Sequence, residues 1–289
     1  MYIINSGDIM YIFYALLAAL TSGITTLFAK KSLNTNSNLV TFLRTIIIFL
    51  FTIVVVFLFK VEFVKLDFKT LLFLILSGIF TALLWICYFK ALQLGNVSKV
   101  TPIDKTSIVL TLILSMIFLG EKITFIKVIS MILILFGTFL TINKVQKDEK
   151  SNSWILYAVL TAIFTSITTI ISKIGLKNVD SSLATFIRTI VVLVIMIFVL
   201  LFKKKFIYFK DLNKNNLKYI VLSGVSTSLS WLCYFKALQD NEASVVFTIE
   251  KMSLVVAITL SYFFLKEKIS KKSLIGIIII TIGTGILLF

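Results

Sequence analysis

The sequence predicts an all-α integral membrane protein of ten transmembrane helices, arranged as two inverted repeats of five. Three observations carry that prediction. The chain is 59% hydrophobic with a single proline in 289 residues, and its mean hydropathy of +1.06 leaves no water-facing surface for a soluble protein. The charged residues cluster between apolar runs. The second half of the chain repeats the first.

A helix needs about 20 apolar residues to cross a hydrocarbon core of about 30 Å. Charge clusters divide the chain into runs of that size at Ile9 to Ala29, Asn38 to Phe59, Thr70 to Leu92, Val97 to Leu119 and Ile123 to Ile142. Five more follow at Trp154 to Leu176, Ser182 to Phe202, Leu217 to Leu238, Ala243 to Leu265 and Ser273 to Phe289. Met1 to Asp8 carries no Lys or Arg, so the first run reads as a membrane helix and not as a removable signal peptide. The long polar connections, Asn143 to Ser153 and Lys203 to Asn216, are too short for a soluble domain. Alternating apolar and polar residues, the mark of a membrane β-barrel, are missing, so helices satisfy the backbone.

Ser77 to Thr124 aligns without a gap on Ser223 to Ser270, with 25 of 48 positions identical. The block WxCYFKALQ stands at Trp85 to Gln93 and again at Trp231 to Gln239. LVTFLRTI at Leu39 to Ile46 returns as LATFIRTI at Leu183 to Ile190, and Gly120 to Ile123 returns as Lys266 to Ile269. The repeats are thus 1–146 and 147–289. A unit of five spans ends on the side opposite to its start, so the second copy is predicted upside down. The two are then related by an axis in the membrane plane, with a shared site near the midplane.

Lys+Arg outnumber Asp+Glu by 29 to 13. Between apolar runs these lysines read as juxtamembrane anchors facing anionic lipid, not as a nucleic-acid surface. Without any histidine the usual zinc and iron ligand sets and Ser-His or Cys-His nucleophiles are excluded, and no cofactor is expected. Nor is there a GxxxxGK[ST] nucleotide loop. Leaving out Arg44, Lys105, Arg188 and Lys251, 17 of the remaining 25 cations fall on the side of the loops after odd-numbered helices, which by positive-inside logic places both termini outside.

The two-repeat layout, the W-x-x-Y-F-x-A-L pattern at Trp85 to Leu92 and Trp231 to Leu238, and L-G-E-K-I at Leu119 to Ile123 resemble the drug/metabolite transporter superfamily, in particular its EamA-type members. The resemblance implies a multi-pass protein of the cell membrane that exports or exchanges small solutes without ATP, with membrane lipid as its surroundings and a homodimer as a possible assembly. It implies a cavity lined by the first, third, fourth, sixth, eighth and ninth helices. It also implies termini inside, against the charge count. The chain departs from the family in carrying Asp104-Lys105 and Glu250-Lys251 within its fourth and ninth helices.

Candidate site residues follow from charge and repetition. Arg44 and Arg188, the two arginines among 29 cations, occupy matching positions. A guanidinium fork suits a buried carboxylate, and helix packing or snorkelling is the competing reading. Arg44 and Asp104 lie at similar depth, about 10 Å in, which allows them to pair. The inverted copy predicts two charge clusters, one with Arg44, Asp104 and Lys105 and one with Arg188, Glu250 and Lys251, towards opposite ends of a cavity. Trp85, Tyr88, Trp231 and Tyr234 lie three apart on common helix faces, as packing, interfacial or cavity-lining aromatics. Hydroxyl stripes containing Thr25 on the first helix and Thr168 on the sixth face protein or water. Pro102 reads as a first-turn proline, and Cys87 and Cys233 as packing residues. A secondary transporter is the leading function. A membrane-embedded lipid-handling enzyme and a non-transporting scaffold or sensor are the alternatives.

Overall fold

The computed structural model describes residues 6–62, 66–141, 153–177, 179–202, 210, 212–266 and 269–286. The central connection 143–152, all of 203–209 and the repeated Glu267-Lys268 pair lie outside the described residues. Every regular element described is helical. The first repeat holds α1 (Ser6–Ser32), α2 (Ser37–Leu58), α3 (Phe68–Leu94), α4 (Val97–Lys105), α5 (Ser107–Leu119) and α6 (Phe125–Thr141). The second holds α7 (Ser153–Gly175), α8 (Ser181–Phe202), α9 (Lys214–Asp240), α10 (Ala243–Glu250), α11 (Ser253–Leu265) and α12 (Lys271–Ile286).

Large apolar side chains cover the outside as well as forming the core, and charges are buried within. Phe57, Phe139 and Phe202 are each more than 70% exposed, whereas Arg44 and Arg188 are 3% and 2% exposed. Seven helical stretches are long and apolar enough to cross a membrane, counting α4–α5 and α10–α11 as one each. The described part of α6 has 17 residues and that of α12 has 16, and polar residues dilute α9. This is a multi-pass membrane protein.

Two predicted spans are not single helices. The fourth breaks at Thr106 and the ninth at Lys251–Met252. The break is a tightened turn, not a kink into extended chain: Thr106 N–H reaches Ile103 O at 3.1 Å, and Lys251 N–H reaches Thr248 O at 3.0 Å, both i to i−3. Such a turn inside a helix marks a hinge or strain. Pro102 falls in the second turn of α4, not the first, and lacks an N–H for the ladder. The same break forms in the second repeat, where Thr248 replaces the proline, so the proline is not its common cause.

Helix starts are capped locally. Asn36, Asp67, Asp180 and Asn213 accept backbone N–H bonds from Asn38, Thr70, Ser182 and Asn216. Accepting from Thr70 holds the exposed Asp67 carboxyl below the usual carboxylate range. At the other ends, Lys30 Nζ donates to Leu92 O and Gly95 O at the end of α3, both at 2.6 Å. Lys173 Nζ does the same for Leu238 O and Gln239 O at the end of α9, at 2.6 and 3.0 Å. A cation there complements the negative end of each helix.

Packing is chiefly between repeats and reciprocal: α1 lies on α9 as α7 lies on α3, while α2 meets its equivalent α8 and α6 meets α12. Gly78 approaches the α8 backbone so closely that an added Cβ would stand 3.1 Å from Arg188 O, and Gly224 approaches Arg44 O at 3.3 Å in the same way. Helices α6 and α12 run antiparallel, for Gly137 abuts Gly276 and Ile280 while Gly283 abuts Ser130 and Leu133.

A polar cavity between the two repeats

The breaks in α4–α5 and α10–α11 bring the intramembrane charges to one place. Lys105 Nζ lies 3.2 Å from each Glu250 oxygen, across the repeats, and 3.8 Å from Asp104 Oδ2. Glu250 also accepts from Ser22 at 3.0 Å and Ser253 at 2.9 Å, so the first turn of α11 helps hold the carboxylate. Asp104 accepts from Thr165 at 3.1 Å, the counterpart of the Ser22 bond. Lys251 stands 3.8 Å from Glu250, but its Nζ donates to Ser107 Oγ at 3.2 Å and sits 3.3 Å from the Phe247 ring centre. The two separate clusters predicted from depth are therefore one. Depth along a helix does not say which way the side chains turn, and both breaks face the same interior.

Arg44 does not pair with Asp104. Its Nε and Nη2 donate to Thr227 Oγ1 at 3.2 and 2.8 Å, and its Cζ lies 4.3 Å from the Trp85 ring centre and 4.6 Å from that of Phe89. Arg188 mirrors it: Nη2 donates to Thr81 Oγ1 at 2.8 Å, with Cζ 4.2 Å from Phe235 and 5.3 Å from Trp231. Trp85 and Trp231 stack on each other at 4.8 Å, so arginine, two indoles and arginine form one continuous column between the repeats. Similar depth is not sufficient for the predicted pair, because aromatic faces and a threonine from the other repeat take the guanidinium.

Hydroxyls complete the wall. Thr25 pairs with Thr227 at 3.3 Å, and Thr168 with Thr81 at 2.9 Å. Tyr88 pairs with Thr26 at 3.0 Å, whereas Thr169 lies beside the Tyr234 hydroxyl without meeting hydrogen-bonding geometry. These residues border a cavity of about 170 Å³ contributed by α1, α2, α3, α4, α7, α8, α9 and α10. Of the sequence candidates, Arg44, Asp104, Lys105, Arg188 and Glu250 reach its wall, as do Trp85, Tyr88, Trp231, Tyr234, Thr25 and Thr168. Lys251 is fully buried behind it. Arginine-bearing α2 and α8 were not among the helices expected to line a cavity. Thr81, Thr227 and Ser230 were not singled out from the sequence, although Thr81 and Thr227 hold equivalent places in the repeated block and partner both arginines.

A multi-pass helical protein built from two repeats, with a buried polar cavity between them, has the form of a membrane transporter. The profile of the EamA-like transporter family matches residues 9–143 and again 152–289. The chain belongs to that family, and it is a membrane transporter. An uncharacterized transporter of a Sinorhizobium species, encoded in the cobO 3′ region, is 40% identical over 114 residues, 38% of this chain and 80% of its own length. An uncharacterized protein of Methanocaldococcus jannaschii is 32% identical over 84 residues, 29% of this chain and 60% of its own length. Each relative is thus about as long as one repeat. A solved crystal structure at 14% identity superposes with a TM-score of 0.79, covering 96% of this chain and 97% of the other, which shows the fold alone.

Proposed function

We propose that the chain carries a small solute across the cell membrane by alternating access, with ten spans in two inverted repeats, 1–146 and 147–289. The observation that carries this reading is the antiparallel contact of equivalent helices, α6 with α12. Two equivalent elements that meet antiparallel are related by an axis perpendicular to them, and for membrane helices that axis lies in the membrane plane. Such symmetry offers two packings of similar energy, one open to each side.

The charge cluster supplies an element for the exchange. Lys105 is on Glu250 while its equivalent, Lys251, is withdrawn against Phe247 and Ser107. Exchanging the roles of the repeats puts Lys251 on Asp104 and withdraws Lys105. The two conformations then differ in which lysine is paired at the cavity. With no nucleotide loop in the sequence, a gradient or an exchanged solute drives the cycle.

The test is solute flux in proteoliposomes together with labelling of single cysteines placed in the cavity wall, in a chain whose Cys87 and Cys233 are replaced. Asp104→Asn and Glu250→Gln should each impair flux and should expose the wall to opposite sides. A bias of about 5.5 kcal/mol shifts such an equilibrium from 1:99 to 99:1. Labelling from the same side in both variants, or normal flux in both, overturns the exchange.

A further inference from the structure

Arg188 has a vacancy that its partner in the other repeat lacks. The side chain is 2% exposed, borders the cavity and gives one N–H to Thr81. Its Nε and Nη1 are buried without any hydrogen-bond partner. The guanidinium carbon lies 4.2 Å from the Phe235 ring centre, so the ring covers one side of the group and gives its N–H groups no acceptor oxygen. Buried donors of a charged group without acceptors are costly, and such vacancies in a native structure call for a ligand. The Tyr234 hydroxyl, on the same wall and within electrostatic reach of Arg188, is likewise buried without a partner.

Charge and size define what fills the place. The wall carries three cations, Arg44, Lys105 and Arg188, against two carboxylates, Asp104 and Glu250. Lys251, buried behind the wall 3.8 Å from Glu250, adds to that excess of positive charge, and a negative group on the occupant offsets it. A cavity of about 170 Å³ admits a small solute, since about 10–15 Å³ of such volume already holds a water. With one Nη2 hydrogen on Thr81, the end of the guanidinium formed by Nη1 and the second Nη2 hydrogen is the edge that the two coplanar oxygens of a carboxylate match and a point-like anion does not.

We infer that Arg188, with Tyr234 beside it, is the receiving site for the carboxylate of a small organic acid, seated against the Trp85–Trp231 stack. This rests on the transport reading and narrows it to a substrate class. Because the repeats are related, Arg44 is the corresponding site when the roles of the repeats are exchanged. Its Nε then leaves Thr227 while Nη2 stays bonded, as Arg188 Nη2 is bonded to Thr81 now.

The experiment measures thermal stabilisation and calorimetric binding of the purified full chain in nanodiscs. The probes are acetate, L-lactate and L-alanine, each beside its amide: acetamide, lactamide and alaninamide. At least one acid should bind, and its amide should bind about tenfold more weakly or not at all, the fold-change for lost hydrogen bonds to a charged group. Lactate preferred over alanine identifies a simple anion, and alanine preferred identifies a zwitterion, the carboxylate subsite standing in both. Arg188→Lys should weaken the acid by about tenfold and leave the amide unchanged, and Tyr234→Phe should act in the same direction more weakly. If Arg188→Lys does not fold, Tyr234→Phe and the acid–amide ratio of the native chain decide. Amides binding as well as acids throughout the panel, or no acid binding at all, overturns the inference. Acid binding without flux of that acid in proteoliposomes would refute transport while leaving the subsite. Flux of a neutral or cationic solute unchanged by Arg188→Lys would uphold transport and sink the subsite.

Discussion

The two halves of the cavity have the same parts and different bonds. On one side Arg44 commits two donors to Thr227, Tyr88 is bonded to Thr26, and Asp104 has one hydroxyl and a lysine at 3.8 Å. On the other, Arg188 commits one donor to Thr81 and Tyr234 has no partner, while Glu250 holds Lys105 and two serines. Near-identical residues in equivalent places therefore need not carry equal weight. A transporter resting in one conformation has to break its internal symmetry, and the broken symmetry is visible in which groups are satisfied.

The largest effect should separate the two carboxylates. Glu250→Gln leaves Lys105 buried without its close counter-ion, a change that costs about 3–5 kcal/mol when one partner of a buried pair is removed. Asp104→Asn removes an acceptor whose nearest cation is 3.8 Å away, so about 1–2 kcal/mol is expected. Thermal unfolding in micelles should rank Glu250→Gln clearly below Asp104→Asn, and adding Lys105→Met to Glu250→Gln should recover stability. Equal losses would mean that the Lys105–Glu250 contact carries no net weight.

The arginines give the next contrast. Arg44→Gln loses two charge-assisted bonds and Arg188→Gln one, each worth about 1.5–3 kcal/mol. Without added solute, Arg44→Gln should melt lower, and Arg188→Gln is partly offset because it removes two unsatisfied donors. If Arg188→Gln proves the more damaging to the empty protein, the asymmetry read from the hydrogen bonds is wrong.

A smaller difference lies at the ends of α5 and α11. Both terminate in a left-handed residue, Gly120 at φ +68° and its counterpart Lys266 at φ +56°. Glycine adopts that conformation without cost, whereas a side chain there costs about 1–2 kcal/mol. Lys266→Gly should raise the melting temperature and Gly120→Ala should lower it, by similar amounts. No change in either would show that neighbouring contacts decide these turns.

The smallest effect is a pH dependence. Asp67 caps α3 with a depressed pKa, and its counterpart Asn213 caps α9 without a charge. A depressed carboxyl stabilises above its unfolded value of about 3.9, and that contribution is lost as pH falls through the lower folded value. Hydrogen exchange at the Thr70 amide should quicken on acidification, relative to its intrinsic rate, more than at the Asn216 amide. Asp67→Asn should make the two alike.

The sequence by itself determined that the chain is a membrane protein of two repeats, because apolar run length and residue-by-residue identity are local properties that need no partner to be read. It also singled out Arg44, Arg188, Asp104 and Glu250, since charges within apolar runs and the two arginines stand out in composition. The breaks in the fourth and ninth spans were not legible. Their backbone stays near helical angles at Thr106 and Lys251, and a proline marks only one of them. Nor was the choice of partners, such as Thr227 for Arg44 and Glu250 for Lys105. Those pairs lie 183 and 145 residues apart. Only the tertiary structure decided them, because rotation about each helix axis is set by packing between repeats, and a turn of about 100° per residue decides whether a charge meets a carboxylate, a threonine or an aromatic face.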